Sequence, residues 1–333
     1  MKYRELGQTG EKLSAIGLGC MGMSFAYGTS DDQQSINTLH KALDLGINFW
    51  DTADMYGNGA NEELLAQVLQ SNRDKVFLAT KFGFRFKGDL AQPSNSKDTY
   101  FDGSPAWIRV AVENSLKRLK TDVIDLYYAH RIDPNVPVED TVGAMADLVK
   151  AGKVRYLGLS EASAQSIRKA QAIHPIVALQ SEYSLLSRDV EGEILATTRE
   201  LGISLVPYSP LARGLVTNAL NVDQLEDSDF RKMLPRYQGD NLKNNQALAS
   251  AFAAFAEQKN ATAAQLALAW VLAQGHDIIP IPGTRKINRL IENAGAVDLE
   301  LSAGDIKTID EILATYPNVG ARYTETQLKQ VNH

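Results

Sequence analysis

The chain has 333 residues, 44% of them hydrophobic and 22% charged, which is enough to bury one large core in a single domain. With 40 acidic against 34 basic residues its net charge is −6, and no Lys/Arg run is long enough for a nucleic-acid arm, so the expected partner is a small molecule. Cys20 is the only cysteine, which excludes an intrachain disulfide, a thiolate metal cluster and a CxxC pair; neither MKYRELGQTGEK at the start nor LALAWVLA from Leu266 supplies the apolar length of a signal peptide or a membrane span, and a cytoplasmic protein is expected.

The first residues alternate as MKYREL, QTGE and KLSAIG, the pattern of a hairpin ahead of the main fold. Short apolar strands then alternate with longer amphipathic helices. SAIGLG leads to a helix capped near Ser30 or Asp31 and ending at Leu45, INFWD to one over Asn61–Gln70, and KVFLATK to one after Ser104. VIDLYYAH precedes a helix over Val138–Ala151, VRYLGLS one over Ala164–Ala172, and IVALQS one over Val190–Leu201; ISLVPYS and IIPIPGT complete the series, the latter before Ile287–Ala294. Eight strands, each followed by a helix, predict a (β/α)8 TIM barrel with an N-terminal β-hairpin. A doubly wound sheet gives a similar alternation, but Gly17, Gly19 and Gly22 do not make the GxGxxG of its dinucleotide-binding form. Two extra helices are expected, one around Asn244–Gln258 and one over Ala303–Leu313. Residues 84–102, residues 209–242 and the tail after Tyr316 read as walls of a substrate pocket.

In a barrel the reactive side chains stand at the carboxyl ends of the strands. Asp51 ends the second, Lys81 the third and His130 the fourth. Tyr56 lies in the loop DTADMYG, which can swing its phenol back over Asp51. Strand alternation puts Phe49 with Asp51, Ala79 with Lys81 and Tyr128 with His130 on one face each. Taken singly, such residues are usually caps, packing or solvated charges. Their convergence at adjacent strand ends points to proton chemistry: Tyr56 as an acid, Lys81 lowering its pKa, Asp51 neutralising Lys81, and His130 donating to a substrate oxygen.

DTADMYG, followed by NEELL, TKFG and the histidine ending LYYAH, resembles the aldo-keto reductases, nicotinamide-dependent barrel enzymes carrying Asp, Tyr, Lys and His in this order. The resemblance runs from the hairpin to the last barrel helix, and GLSEAS and QSEYS resemble the branch that contains pyridoxal reductases and related carbonyl reductases. It implies that Ser160 and Gln180 hold a nicotinamide carboxamide and that Tyr208 stacks on the ring. It also implies that Ser209, Leu211, Arg213 and Gly214 lie near the pyrophosphate, the bland alternative for Arg213 being a solvated side chain in an ordinary turn. IPGTRKINRLIEN would place Gly283, Thr284, Arg285 and Arg289 at a phosphate, with Glu292 and Asn293 at the adenine. Two arginines suit the 2′-phosphate of NADP better than the bare ribose of NAD, so NADPH is the expected cofactor. Three positions depart from the family pattern: Gly283 replaces a lysine and removes one phosphate ligand, Glu161 replaces an asparagine beside Ser160, and Ala66 replaces a glycine.

The expectation is an NADPH-dependent reductase of aldehydes or ketones with no metal, since His40, His174, His276 and His333 lack ligand spacing. Two other classes are weighed. A cofactor-binding regulatory subunit would keep the same residues and turn over slowly, and a metal-dependent barrel hydrolase would need clustered histidines.

Overall fold

Apolar runs that end on polar residues become the staves of a barrel in a computed structural model that describes residues 1–86, 99–317 and 319–331. A hairpin comes first, β1 (Tyr3–Glu5) pairing antiparallel with β2 (Lys12–Ser14). Then β3 (Leu18–Gly19), β4 (Phe49–Asp51), β5 (Phe77–Phe82), β8 (Ile124–Ala129), β9 (Val154–Ser160), β10 (Ile176–Glu182) and β11 (Ser204–Tyr208) lie side by side as one parallel sheet in chain order.

The predicted eighth strand closes the ring without becoming a regular one. Ile279 and Ile281 donate their amides to Leu205 and Pro207 of β11, while the carbonyls of Pro280 and Pro282 accept from Gly17 and Gly19 on the other side. The two prolines have no N–H to return to β3, so this side of the ladder is half made. Bridges Leu205–Ile278 and Gly19–Gly283 complete the closure.

Strand alternation sorts the core into two layers. Phe49, Ala79, Leu126, Tyr128, Ala178, Val206, Ile279 and Ile281 pack inside the barrel, with Leu6 and Leu13 of the hairpin against them. Trp50, Leu78, Tyr127, Leu157, Leu179 and Leu205 face the helices. Gly158 makes room inside: a Cβ there would stand 2.4 Å from the ring of Tyr128.

The crossover helices are α1 (Asp32–Asp44), α2 (Ala60–Leu69), α3 (Pro105–Leu119), α4 (Val138–Lys150), α5 (Ala164–Ile173), α6 (Glu193–Glu200), α8 (Ala263–Ala273) and α9 (Ile287–Gly295). Their starts follow local chemistry. Asp31, Ser104, Ser163 and Thr262 accept from the third residue onward, and Pro105 takes the first helical position after Ser104. The extra helices are α7 (Gly239–Gln258), which starts five residues before the predicted Asn244, and α10 (Ala303–Thr315); a short α11 (Glu325–Leu328) follows in the tail. Part of the segment read as a loop over 84–102 is instead a hairpin, β6 (Phe84–Phe86) against β7 (Thr99–Phe101). Residues 87–98 of that segment, and His333, lie outside the described residues.

Candidate active site

Neighbouring strand ends bring the four predicted reactive residues together. Lys81, on β5, is completely buried and its Nζ donates to Asp51 Oδ1 on β4 at 2.6 Å, to the Thr52 carbonyl at 2.8 Å and to the Tyr56 hydroxyl at 3.3 Å. Those three acceptors take up the three donors of an ammonium, so its position is fully specified. Gln180, from β10, donates its amide to the other oxygen of Asp51 at 2.8 Å. His130 stands edge-on to the Tyr56 ring at 5.9 Å and to Phe84 at 4.8 Å, and its Nδ1 is buried with no hydrogen-bond partner among the described residues. The loop carrying Tyr56 is fixed from behind, where Asn61 accepts from Thr52 at 2.6 Å and donates to the Cys20 carbonyl at 2.9 Å.

Burial and charge set the protonation states. Burial alone would lower the Lys81 pKa, but Asp51 and Tyr56 more than offset it and hold the ammonium above its usual range. Burial pushes the Asp51 carboxyl up, with Lys81 and Gln180 pulling the other way. Burial, then Lys81 and Arg131, keep His130 well below the ordinary imidazole range, so it is neutral at pH 7. The Tyr56 phenol corrects the sequence expectation: burial raises it, and Lys81 offsets only part of that rise. The phenol is therefore held as the proton-bearing form.

The three residues assigned to a nicotinamide ring also converge. Ser160 and Gln180 are register partners across β9 and β10, and Tyr208 pairs in register with Glu182 on the next strand. Ser160 accepts from Arg131, whose guanidinium also donates to the His130 carbonyl. After Tyr208 the chain turns through left-handed conformations at Ser209, Ala212 and Arg213, which non-glycine residues adopt at a cost, and again at Gly214, with the half-buried Leu211 between them. Arg213 is not a solvated turn residue: it is 9% exposed and pairs with Glu182 at 2.7 Å.

At the other anchor, Thr284 accepts from the Lys286 amide at 3.0 Å, Arg289 pairs with Glu292 at 2.8 Å, and Asn293 is buried in α9. Arg285 keeps a buried Nη1 with no partner among the described residues. Gly283 lies close to Gly19: a Cβ there would stand 3.1 Å from the Gly19 carbonyl oxygen, a tight contact. Ala66, the other small-residue departure, is buried in α2.

Sequence reasoning missed a second group at the mouth. Glu161, in a left-handed conformation, binds Arg322 through both oxygens at 3.0 and 2.8 Å and accepts the Glu182 amide at 2.8 Å. Tyr323 places its hydroxyl 2.9 Å from that of Tyr208. These contacts join positions far apart in the chain, and no local pattern announces them.

Comparison with known proteins identifies the family. Residues 15–314 match the model of the aldo/keto reductase family. A curated relative, probable aldo-keto reductase 1 of Glycine max, is 46% identical over 321 residues, covering 96% of this chain and 91% of that protein. The structure of a glycerol dehydrogenase of Gluconobacter oxydans superposes with a TM-score of 0.87 at 30% identity, over 96% of this chain and 97% of that one. An aldo-keto reductase of Bacillus halodurans, solved in its holo form, gives a TM-score of 0.78 at 30% identity, over 98% and 99% of the two chains. With its barrel, its strand-end Asp–Tyr–Lys–His group and these likenesses, the chain belongs to the aldo/keto reductase family, whose members are NAD(P)H-dependent oxidoreductases acting on carbonyls.

Proposed function

We propose that this protein reduces aldehydes or ketones to alcohols with NADPH, and that Asp51, Tyr56, Lys81 and His130 carry the reaction. The observation that carries this reading is the buried ammonium of Lys81, shared between the Asp51 carboxylate and the Tyr56 phenol. The nicotinamide cofactor, when bound, supplies the hydride. The chain's task is then to hold a carbonyl oxygen and give it a proton. Tyr56 holds that proton on its hydroxyl, and the phenolate it leaves is stabilised by Lys81 at 3.3 Å. Neutral His130 donates an N–H to the same oxygen and fixes its direction.

The residues at the mouth fit a nicotinamide dinucleotide. A hydroxyl (Ser160), an amide (Gln180) and an aromatic ring (Tyr208) stand at the ends of three consecutive strands, β9 to β11. The loop with Ser209, Leu211, Arg213 and Gly214 follows the last of them, and Gly283, Thr284 and the start of α9 lie across the seam. Arg285 supports NADPH over NADH because its buried Nη1 has no protein partner among the described residues, as a guanidinium awaiting a phosphate would. Arg289 already pairs with Glu292, so less selectivity is assigned to it. GLSEAS and QSEYS favour the branch of pyridoxal and related carbonyl reductases. No helix among the described residues is long and apolar enough to cross a membrane, and a cytoplasmic enzyme is proposed.

The test is loss of NADPH absorbance with aromatic aldehydes, pyridoxal and simple ketones. Turnover by the wild type with at least one of them, slowed in Tyr56→Phe while NADPH still binds, supports the proposal. Tight NADPH binding with no turnover on the whole panel would replace it with a regulatory role.

A further inference from the structure

We infer that Arg322 and Tyr323 are positioning residues of the cofactor site, holding Tyr208 and the ends of β9 and β10 where a nicotinamide ring is received; this rests on the NADPH reading above. The three strand ends assigned to the ring are the same three that fasten the C-terminal segment. Glu161 follows Ser160 directly, Glu182 lies two residues after Gln180, and Tyr208 itself takes the Tyr323 hydroxyl at 2.9 Å. Arg322, 6% exposed, grips Glu161 with two hydrogen bonds and lies 3.9 Å from Glu182. The Arg213 guanidinium caps the Tyr323 ring at 4.9 Å, so the phenol is held on its face as well as at its hydroxyl.

The chemistry of this attachment points to placement rather than to simple adhesion. A tail docked for stability alone needs only apolar burial. Here the anchor is a set of desolvated charges whose mutual attraction repays their dehydration only in one geometry. Glu161 also adopts a left-handed backbone conformation, strain of the kind stored where a side chain must be aimed. The direction in which it is aimed is set by Arg322 and the Glu182 amide. A tyrosine that must present a ring face has two torsions to fix, and the hydroxyl-to-hydroxyl bond from Tyr323 restrains the far end of that lever. The substitution of glutamate for the family's asparagine at 161 thus gains a purpose: contact with the tail.

The experiment uses the full chain. Wild type, Tyr323→Phe, Arg322→Met and Arg322→Lys are compared by equilibrium NADPH titration, by steady-state kinetics and by thermal midpoint. Tyr323→Phe, which removes one hydroxyl, is expected to lower the thermal midpoint by no more than the loss of one neutral hydrogen bond and to weaken NADPH binding by about 2- to 10-fold. The loss should fall on Kd and KM for NADPH more than on kcat. Arg322→Met should weaken binding further, with partial rescue by Arg322→Lys. If Arg322→Met fails to fold, the Tyr323→Phe result decides. Unchanged or tighter NADPH binding in Tyr323→Phe overturns the inference and leaves the cofactor reading standing; a wild type that binds no NADPH overturns both.

Discussion

Lys81 and Asp51 form an ion pair of 2.6 Å in which the lysine side chain has no exposed surface and the aspartate is 4% exposed. Two charges taken so completely out of water depend on each other. Lys81→Met should therefore destabilise the protein by about 3–5 kcal/mol, because Asp51 is left buried without a counter-charge. Asp51→Asn should cost a comparable amount, because it leaves the Lys81 ammonium buried without its counter-charge. Denaturant midpoints for the two variants measure both losses, and a midpoint equal to wild type in either would contradict the pairing.

Tyr56→Phe removes the proposed proton donor while keeping the ring that stacks near Phe25 and lies edge-on to His130. Turnover should fall by about 10²- to 10⁴-fold. Stability should change little, and NADPH should still bind. A variant that turns over at the wild-type rate would remove Tyr56 from the mechanism.

The depressed pKa of His130 makes a signed statement about pH. The folded state keeps the imidazole neutral, whereas the unfolded chain takes up a proton below about 6.5. The unfolded state then binds more protons, so stability is lost as pH falls through that value. Glu161, held below the ordinary carboxylate range despite its burial because Arg322 and Arg131 face it, adds a second loss as pH falls through 4.5, the ordinary value. Chemical denaturation of wild type and His130→Asn between pH 7 and 5 should show a shallower decline in the variant. Turnover in the reductive direction should lack an inflection near pH 6.5 from His130, and it should fall only at strongly alkaline pH, because burial raises the Tyr56 phenol.

Arg285 offers the sharpest test of cofactor choice. Losing a charge-assisted hydrogen bond should weaken NADPH binding in Arg285→Ala by about 10- to 100-fold and leave NADH binding nearly unchanged. Arg289→Ala should have a smaller effect, because Arg289 is already engaged by Glu292. Fluorescence titrations with both dinucleotides decide this, and equal losses for NADPH and NADH would contradict the assignment.

Gly158 tests the barrel interior. A methyl group there meets the Tyr128 ring at 2.4 Å and the Ala178 carbonyl at 3.1 Å. Gly158→Ala should lower stability by about 1–3 kcal/mol through overpacking, and a smaller side chain at 128 should recover part of it. A thermal midpoint equal to wild type would show that the ring can move aside.

Much of this was legible from the chain. The strands could be read because most bury apolar residues on both faces, and the four residues proposed to react could be picked out because three of them stand at or beside strand ends. What escaped reading has physical reasons. IIPIPGT looks like any other stave, yet its prolines leave one edge of its ladder half formed. The pairing of FRF with TYF spans a stretch whose polar composition reads as loop. The direction of the Tyr56 shift needed the depth of burial, which spacing does not reveal, and the partners Glu161 and Arg322 stand 161 positions apart.

The closure between Gly19 and Gly283 has a bearing on how the molecule opens. Its first and last staves are held by the amides of Gly17 and Gly19 on proline carbonyls, the second at a long 3.3 Å, where inner neighbours share full parallel ladders. Breathing of the barrel should begin along this line. Amide deuteration should therefore mark Gly17 and Gly19 ahead of Lys81 or Tyr128, and a ligand clasped by the start of α9 would tighten the same joint from outside.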